Sequence, residues 1–295
     1  MYAKFYGFRA APFELTANPG YLFLTAQHRE ALSNLEYGLA ASKAITVLIG
    51  EAGTGKSTLL RAAIASEMCR HVKCIHVDNP ALTRAEFFHT VASRLGMRAS
   101  SDRSKAVLLG ELESIVRDRH ARGEVTALVV DEAQAAPDEL LEEIRLLANI
   151  ETATTKLLPV VLAGQPELAE RLNDPRLRQL KQRIALRCEL KRLDLSETAA
   201  YIASRIRTAG GNPAVLFTRE AVTLIHEHSH GVPRTISVIC DNALISGFAL
   251  EQKPIDGHIV REVCRDFDLR PEARNASTPV VRLHAFAPPR SAVDS

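Results

Sequence analysis

The chain has 295 residues, 46% hydrophobic and 24% charged, which suffices for a buried core and for two domains. Its 37 basic and 35 acidic side chains leave a net charge of +2, which argues against a dominant nucleic-acid footprint but leaves room for a local basic patch. Cys69, Cys74, Cys188, Cys240 and Cys264 are odd in number and scattered, as in reduced cytosolic proteins, and with His71 and His76 they match no zinc spacing. No apolar run approaches the roughly 18 residues needed to span a bilayer, and the first residues lack the apolar segment of a signal peptide, so a cytoplasmic protein is expected.

Residues 1–25 carry Phe5, Tyr6, Phe8, Phe13, Tyr21 and Phe23 among the turn formers Pro12 and Pro19, which predicts an extended arm packed on the rest. Helical spacing of Ala31, Leu32, Leu35 and Leu39 predicts a helix over 25–41. Strands are expected at 44–49, 72–77, 125–130, 157–163 and 184–190, with intervening helices at 58–64, 83–95, 105–119 and from Pro137 to Ala148. Strands alternating with helices at this spacing indicate an α/β domain, 26–194, whose parallel sheet is covered on both faces. Beyond Asp194 the strand period ends. Ser196 and Glu197 open one helix that Gly210-Gly211 stops, Thr218 caps a second, Gly231-Val232-Pro233-Arg234 leads into a third over 235–249, and Asp256 heads a last one to Cys264. Residues 195–268 therefore read as a small all-helical domain, and the proline-spaced polar stretch 269–295 as a disordered tail.

Residues 50–57 read Gly50-Glu51-Ala52-Gly53-Thr54-Gly55-Lys56-Ser57, a complete phosphate loop between an apolar strand and a helix. A strand that ends in a glycine turn presents successive backbone N–H groups, and the positive end of the next helix, to one anion. Gly50, Ala52, Gly53, Thr54, Gly55, Lys56, Ser57 and Thr58 are thus expected around the phosphates of a nucleoside triphosphate. Lys56 would reach the β- and γ-phosphates and the Ser57 hydroxyl Mg²⁺. Asp131-Glu132 stands at the carboxyl end of an apolar strand, the end at which parallel sheets bind ligands. Asp131 is expected to share the metal with Ser57, and Glu132 to orient and polarise the attacking water. Gln165, past the fourth strand, suits a contact to the γ-phosphate or the water; its blander use is as a turn residue beside Pro166. Of Arg176, Arg178 and Arg183, the last stands directly before a strand, where an arginine can stabilise charge on a neighbouring subunit's nucleotide, although most such charge runs only face solvent. Arg234, beside a proline in the first turn of its helix, is placed to reach phosphate.

Phosphate loop, acid couple, strand-tip glutamine, pre-strand arginine and a helical domain bearing Gly231-Val232-Pro233-Arg234 together resemble the AAA+ ATPases. Further detail is similar to the ExeA type, or general secretion pathway protein A: Phe5-Tyr6-Gly7-Phe8, Pro12-Phe13, Tyr21-Leu22-Phe23-Leu24, His28-Arg29-Glu30-Ala31-Leu32, Asp131-Glu132-Ala133-Gln134, Leu162-Ala163-Gly164-Gln165-Pro166-Glu167-Leu168 and Gln182-Arg183-Ile184. The resemblance runs over about residues 1 to 268. It implies a five-stranded parallel core with a helical lid, ATP and Mg²⁺ as cofactors, and assembly of a ring or filament. In that scheme Glu132 is the catalytic base, Gln165 and Arg234 are the two sensors, and Arg183 is the finger acting across subunits. It also implies a protein partner in a secretion or surface-assembly system. Secretion members continue into a membrane span and a peptidoglycan-binding region, whereas this sequence closes in a polar tail, so work across the envelope is not expected of it. Transposition regulators of the TniB and MuB type share the core layout. A DNA-dependent ATPase is therefore the alternative, helped by Arg171, Arg176, Arg178, Arg183 and Arg187 and opposed by the near-neutral charge. A nucleotide-binding scaffold with little turnover is a third reading, which the presence of Glu132 disfavours.

Overall fold

Six successive buried residues, Ile45–Gly50, form β1. β-Branched and aliphatic residues on both faces of a strand need cover on both sides, and a parallel sheet with crossover helices supplies it. The computed structural model describes residues 2–15, 21–97 and 104–270. In it β1 joins β2 (Val72–Val77), β3 (Val125–Val130), β4 (Val160–Gly164) and β5 (Ile184–Leu190) in one sheet of order β2-β3-β4-β1-β5. Every pairing is parallel. Ile45, Val47 and Ile49 share a core with Leu128, Val130, Val160 and Leu162, closed by Phe87, Leu112 and Leu141 from helices α4 (Arg84–Arg94), α5 (Lys105–Ala121) and α6 (Asp138–Leu147). Helices α2 (Ala26–Ala40) and α3 (Lys56–Ala65) pack against β1. The Glu143 carboxylate, buried within α6, is met by Lys105 at 2.6 Å and Arg84 at 3.0 Å, which ties the first turns of α5 and α4 to it.

Strands β2, β3 and β5 have the expected bounds, and β4 starts three residues late. Pro159 has no N–H for the ladder, so pairing begins beyond it, while its carbonyl accepts from the Leu128 N–H at 2.9 Å. Two short helices, α7 (Pro166–Arg171) and α8 (Arg178–Lys181), were not expected in the chain between β4 and β5; α7 opens with proline at its first position, where the missing N–H costs nothing.

The chain divides into two compact units, residues 26–191 and a second made of the residues up to Thr25 together with Arg192 onward. In the second, α9 (Leu195–Thr208), α10 (Arg219–Ser229), α11 (Pro233–Ala249) and α12 (Gly257–Asp266) enclose Ile202, Ile206, Ile225, Ile239 and Leu244. Asp194 with Glu197 forms a reciprocal cap on α9. Tyr6, Phe8 and Phe13 join this core, and Tyr2–Tyr6 is a helix, α1, rather than an extended arm. Its rings pack edge-on with one another and with Phe248 of α11, which a helical turn permits and an extended strand would not. Helix α11 begins at Pro233, two residues before the expected start. Pro19 and the stretch from Pro271 lie outside the described residues, and no described helix is long and apolar enough to cross a membrane.

Gly231 carries φ +71° and a Cβ there would lie 2.0 Å from the Leu193 carbonyl oxygen, whereas Gly96, at φ +76°, has open space. Gly231→Ala is therefore expected to destabilise the protein by about 3 kcal/mol and Gly96→Ala by about 1 kcal/mol, read from urea unfolding.

Candidate functional site

The register of the sheet gathers the candidate residues. Ile49 of β1 lies beside Gly164 of β4, and Leu162 beside Val130 of β3, so Gly50, Gln165 and Asp131 leave adjacent strands at the same edge. From that edge the phosphate loop turns through Gly53 at φ +83° and Gly55 at φ +102°, conformations that side chains with a Cβ strongly resist. Gly55 is also the N-cap of α3 and supplies no side-chain cap. The first-turn N–H groups of α3 are left for an anion, as the motif requires. Thr54 is buried and its hydroxyl donates to the Glu51 carbonyl at 2.8 Å, bracing the loop from within. His28, buried at the head of α2, places Nε2 3.4 Å from the Thr54 carbonyl.

Lys56 is only 5% exposed, and its ammonium donates to the Gly50 and Glu51 carbonyls at 2.7 and 3.1 Å. Burial pulls its pKa below the ordinary lysine value, and the nearby charges of Glu132, Asp131 and Glu167 partly restore it. The Ser57 hydroxyl donates to Asp131 Oδ2 at 2.8 Å, and Asp131 Oδ1 accepts the Glu132 N–H at 2.9 Å. A hydroxyl and a carboxylate side by side are two hard oxygen donors, the set Mg²⁺ takes beside substrate phosphates. The chain's donors thus fit the metal that the motif implies.

Glu132 has φ +51°, a conformation few non-glycine residues adopt. Its Oε2 accepts from Gln134 Nε2 at 2.6 Å and from Gln165 Nε2 at 3.1 Å. The Gln134 donation, opposed by partial burial and helped by Gln165 and Lys56, holds this carboxyl below its ordinary range, so it stays ionised. Lys56, Ser57, Asp131, Glu132 and Gln165 are therefore brought together. Arg183 is not among them. It stands before β5, at the amino end of the sheet, and a seven-residue strand of about 23 Å separates it from the loop's edge. Arg234 is exposed in the first turn of α11, in the other unit.

Gln134, quoted above within Asp131-Glu132-Ala133-Gln134, and Arg171, named above in the arginine series, carry contacts here that the sequence reading assigned to neither. Arg171 donates to the Gln134 and Ala136 carbonyls at 2.6 and 2.7 Å and to Asp138 at 2.5 Å. Arg176 is engaged by Asp174 at 2.7 Å and Asp138 at 3.1 Å. The run of five arginines thus has two members already neutralised by carboxylates.

Alanine at position 55 would force φ +102° on a residue with a Cβ. Gly55→Ala is expected to weaken Mg·ATP binding at least tenfold in calorimetric titration, with a much smaller change in melting temperature.

Residues 40–172 match the AAA domain family. The chain is 37% identical over 249 residues to general secretion pathway protein A of Aeromonas hydrophila; the match takes in 84% of this chain and 45% of that protein, so the chain spans under half of the relative's length. Among solved structures it is similar to the Aeropyrum pernix ORC2 protein with ADPNP and ADP (TM-score 0.64, 17% identity, 88% of this chain and 72% of that one). Cdc6p of Pyrobaculum aerophilum (TM-score 0.66, 14% identity, 86% and 70%) and Drosophila ORC bound to DNA (TM-score 0.64, 18% identity, 88% and 65%) share the fold as well. With its five-stranded parallel sheet, phosphate loop and acid couple, the chain belongs to the AAA+ P-loop ATPases.

Proposed function

We propose that the chain binds ATP with Mg²⁺ at the β1–β3–β4 edge, hydrolyses it, and uses the cycle to regulate a protein partner from the cytoplasmic side of a secretion or surface-assembly system. The observation that carries this reading is the Ser57–Asp131 hydrogen bond, which sets the metal-type oxygens directly beside the phosphate loop, with Glu132 next in chain. The amides of Gly53 to Thr58 hold the phosphates, and Lys56 exchanges its carbonyl partners for β- and γ-phosphate oxygens. Ser57 and Asp131 would hold Mg²⁺, which would supply charge neutralisation at the transferring phosphoryl group. Glu132 orients the water and accepts its proton. Gln165, hydrogen-bonded to Glu132, is the sensor at the γ-phosphate. Arg234 serves as the second sensor.

Arg183 acts on a neighbouring copy's nucleotide in a ring or filament, a role supported by its exposed place at the end of the sheet away from its own phosphate loop. The second reading, a DNA-dependent ATPase that regulates a transposase, draws on the exposed Arg178, Arg183 and Arg187. The engagement of Arg171 and Arg176 with Asp138 and Asp174 narrows that basic surface.

Glu132→Gln is expected to lower ATP turnover at least 100-fold while keeping Mg·ATP affinity within about threefold, and unchanged turnover would remove Glu132 from the chemistry. Mixing Arg183→Ala with Lys56→Ala subunits is expected to restore part of the activity each lacks alone; no recovery between folded variants rejects an arginine in trans. Turnover stimulated by duplex DNA, fading between 50 and 200 mM salt as an electrostatic contact does, would instead favour the transposase reading.

A further inference from the structure

Two glutamines converge on one oxygen of Glu132, and Gln134 is held at both ends of its amide. Gln134 donates from Nε2 to Glu132 Oε2 at 2.6 Å and accepts at Oε1 the backbone N–H of Gln165 at 3.0 Å. The reverse orientation of the amide would put its oxygen against the carboxylate and its NH₂ against an N–H, so the donors and acceptors allow one arrangement. Gly164 makes room for it. A Cβ at Gly164 would lie 2.9 Å from Gln134 Oε1 and 2.8 Å from Leu168 Cδ2, so the glycine at the β4 tip is what lets the amide cross from one strand end to the next. Arg171 then fixes the turn that carries Gln134 through the carbonyls of Gln134 and Ala136, and is itself held by Asp138. Glu132 Oε1, by contrast, accepts no hydrogen bond from the described residues.

We propose that Gln134 is a positioning residue for ATP hydrolysis: it anchors Glu132 Oε2 and couples it to the β4 tip, leaving Oε1 as the atom that takes the proton of the attacking water. The inference rests on Glu132 being the water-polarising residue. It divides the carboxylate between an anchored oxygen and a reactive one, and a base must hold its reacting atom in place to contribute to the transition state. Gln165 donates to the same Oε2 over a longer 3.1 Å. When Gln165 turns to the γ-phosphate, the Gln134 bond keeps Glu132 from following. The charged groups around the pair are Lys56 from α3, Asp131 beside Glu132, Glu167 of α7 acting through Lys56, and Arg171 behind Gln134.

The test compares the wild-type 295-residue chain, Gln134→Met, Gln134→Glu and Glu132→Gln by ATP turnover, with Mg·ATP affinity by calorimetry and folding by circular dichroism. Gln134→Met keeps the volume and removes both hydrogen bonds. It is expected to lower kcat about tenfold and leave nucleotide affinity within twofold. Gln134→Glu, which sets a second carboxylate against Oε2, is expected to lower kcat at least as far with affinity within twofold, and it serves if the methionine variant does not fold. Adding Gln134→Met to Glu132→Gln is expected to cost nothing more, because the route runs through the carboxylate. A wild-type kcat in a folded Gln134 variant, or a loss of kcat matched by an equal loss of affinity, overturns the proposal while leaving Glu132 in place. Full activity in Glu132→Gln overturns both.

Discussion

The parallel register of β3, β4 and β1 is the constraint on which the rest of the structure depends. Because Leu162 pairs with Val130 and with Val47, and Gly164 with Ile49, the three strands end at the levels of Val47, Ile49 and Gly50 of β1, along a single edge. That edge is where an α/β sheet leaves polar backbone and side chains uncovered by its crossover helices. The apolar pairs in the interior carry the positioning, since sliding any strand by one residue would turn its buried side chains to the wrong face. Asp131 meets Ser57, 74 positions away in sequence, only because their strands are locked from below.

Strain collects at that edge. Gly53, Gly55 and Glu132 all hold positive φ within a few residues of one another's contacts, and the two glycines do so at low cost while Glu132 does not. The αL turn at Glu132 is held by the hydrogen bonds around it: its N–H to Asp131, its Oε2 to Gln134 and Gln165, and the following turn to Arg171. A carboxylate fixed by surrounding dipoles before the substrate arrives needs no reorganisation during the reaction, which is how electrostatic preorganisation contributes to rate. The same dipoles keep it ionised, which suits a base.

The second unit is organised by a buried cation. The Arg205 side chain donates to the Pro12 carbonyl at 2.7 Å and to the Glu14 carbonyl at 2.7 Å, and its guanidinium lies 4.6 Å from the Tyr21 ring centre and 5.7 Å from that of Tyr201. Only a planar, multiply donating group can satisfy two carbonyls and face two rings at once. The aromatic N-terminal residues are thereby fastened to α9, far along the chain, and Tyr6, Phe8 and Phe13 complete the core that four helices leave open.

What the sequence by itself determined was whatever depends on neighbours along the chain. Apolar runs bounded by glycine, proline and aspartate mark the five strands, because a strand's covering and its turns are written locally. The phosphate loop is equally legible, because a glycine turn needs its glycines in place and Lys56 and Ser57 follow at a set spacing. The Asp131-Glu132 couple could be assigned beside it because a parallel sheet offers ligands only one edge. What only the tertiary structure decided was the choice among partners. Arg171 and Arg176 look no different in sequence from Arg178 and Arg183, yet Asp138 and Asp174 take the first two. Gln134 has no assignable partner in the sequence, and gains one when β4, lying beside β3, brings the Gln165 N–H to 3.0 Å from it. The aromatic opening segment reads as an arm until Arg205 claims its carbonyls. Hydrophobic period is a short-range property, whereas a hydrogen bond between residues 31, 33 or 193 positions apart exists only once the core has set their distance.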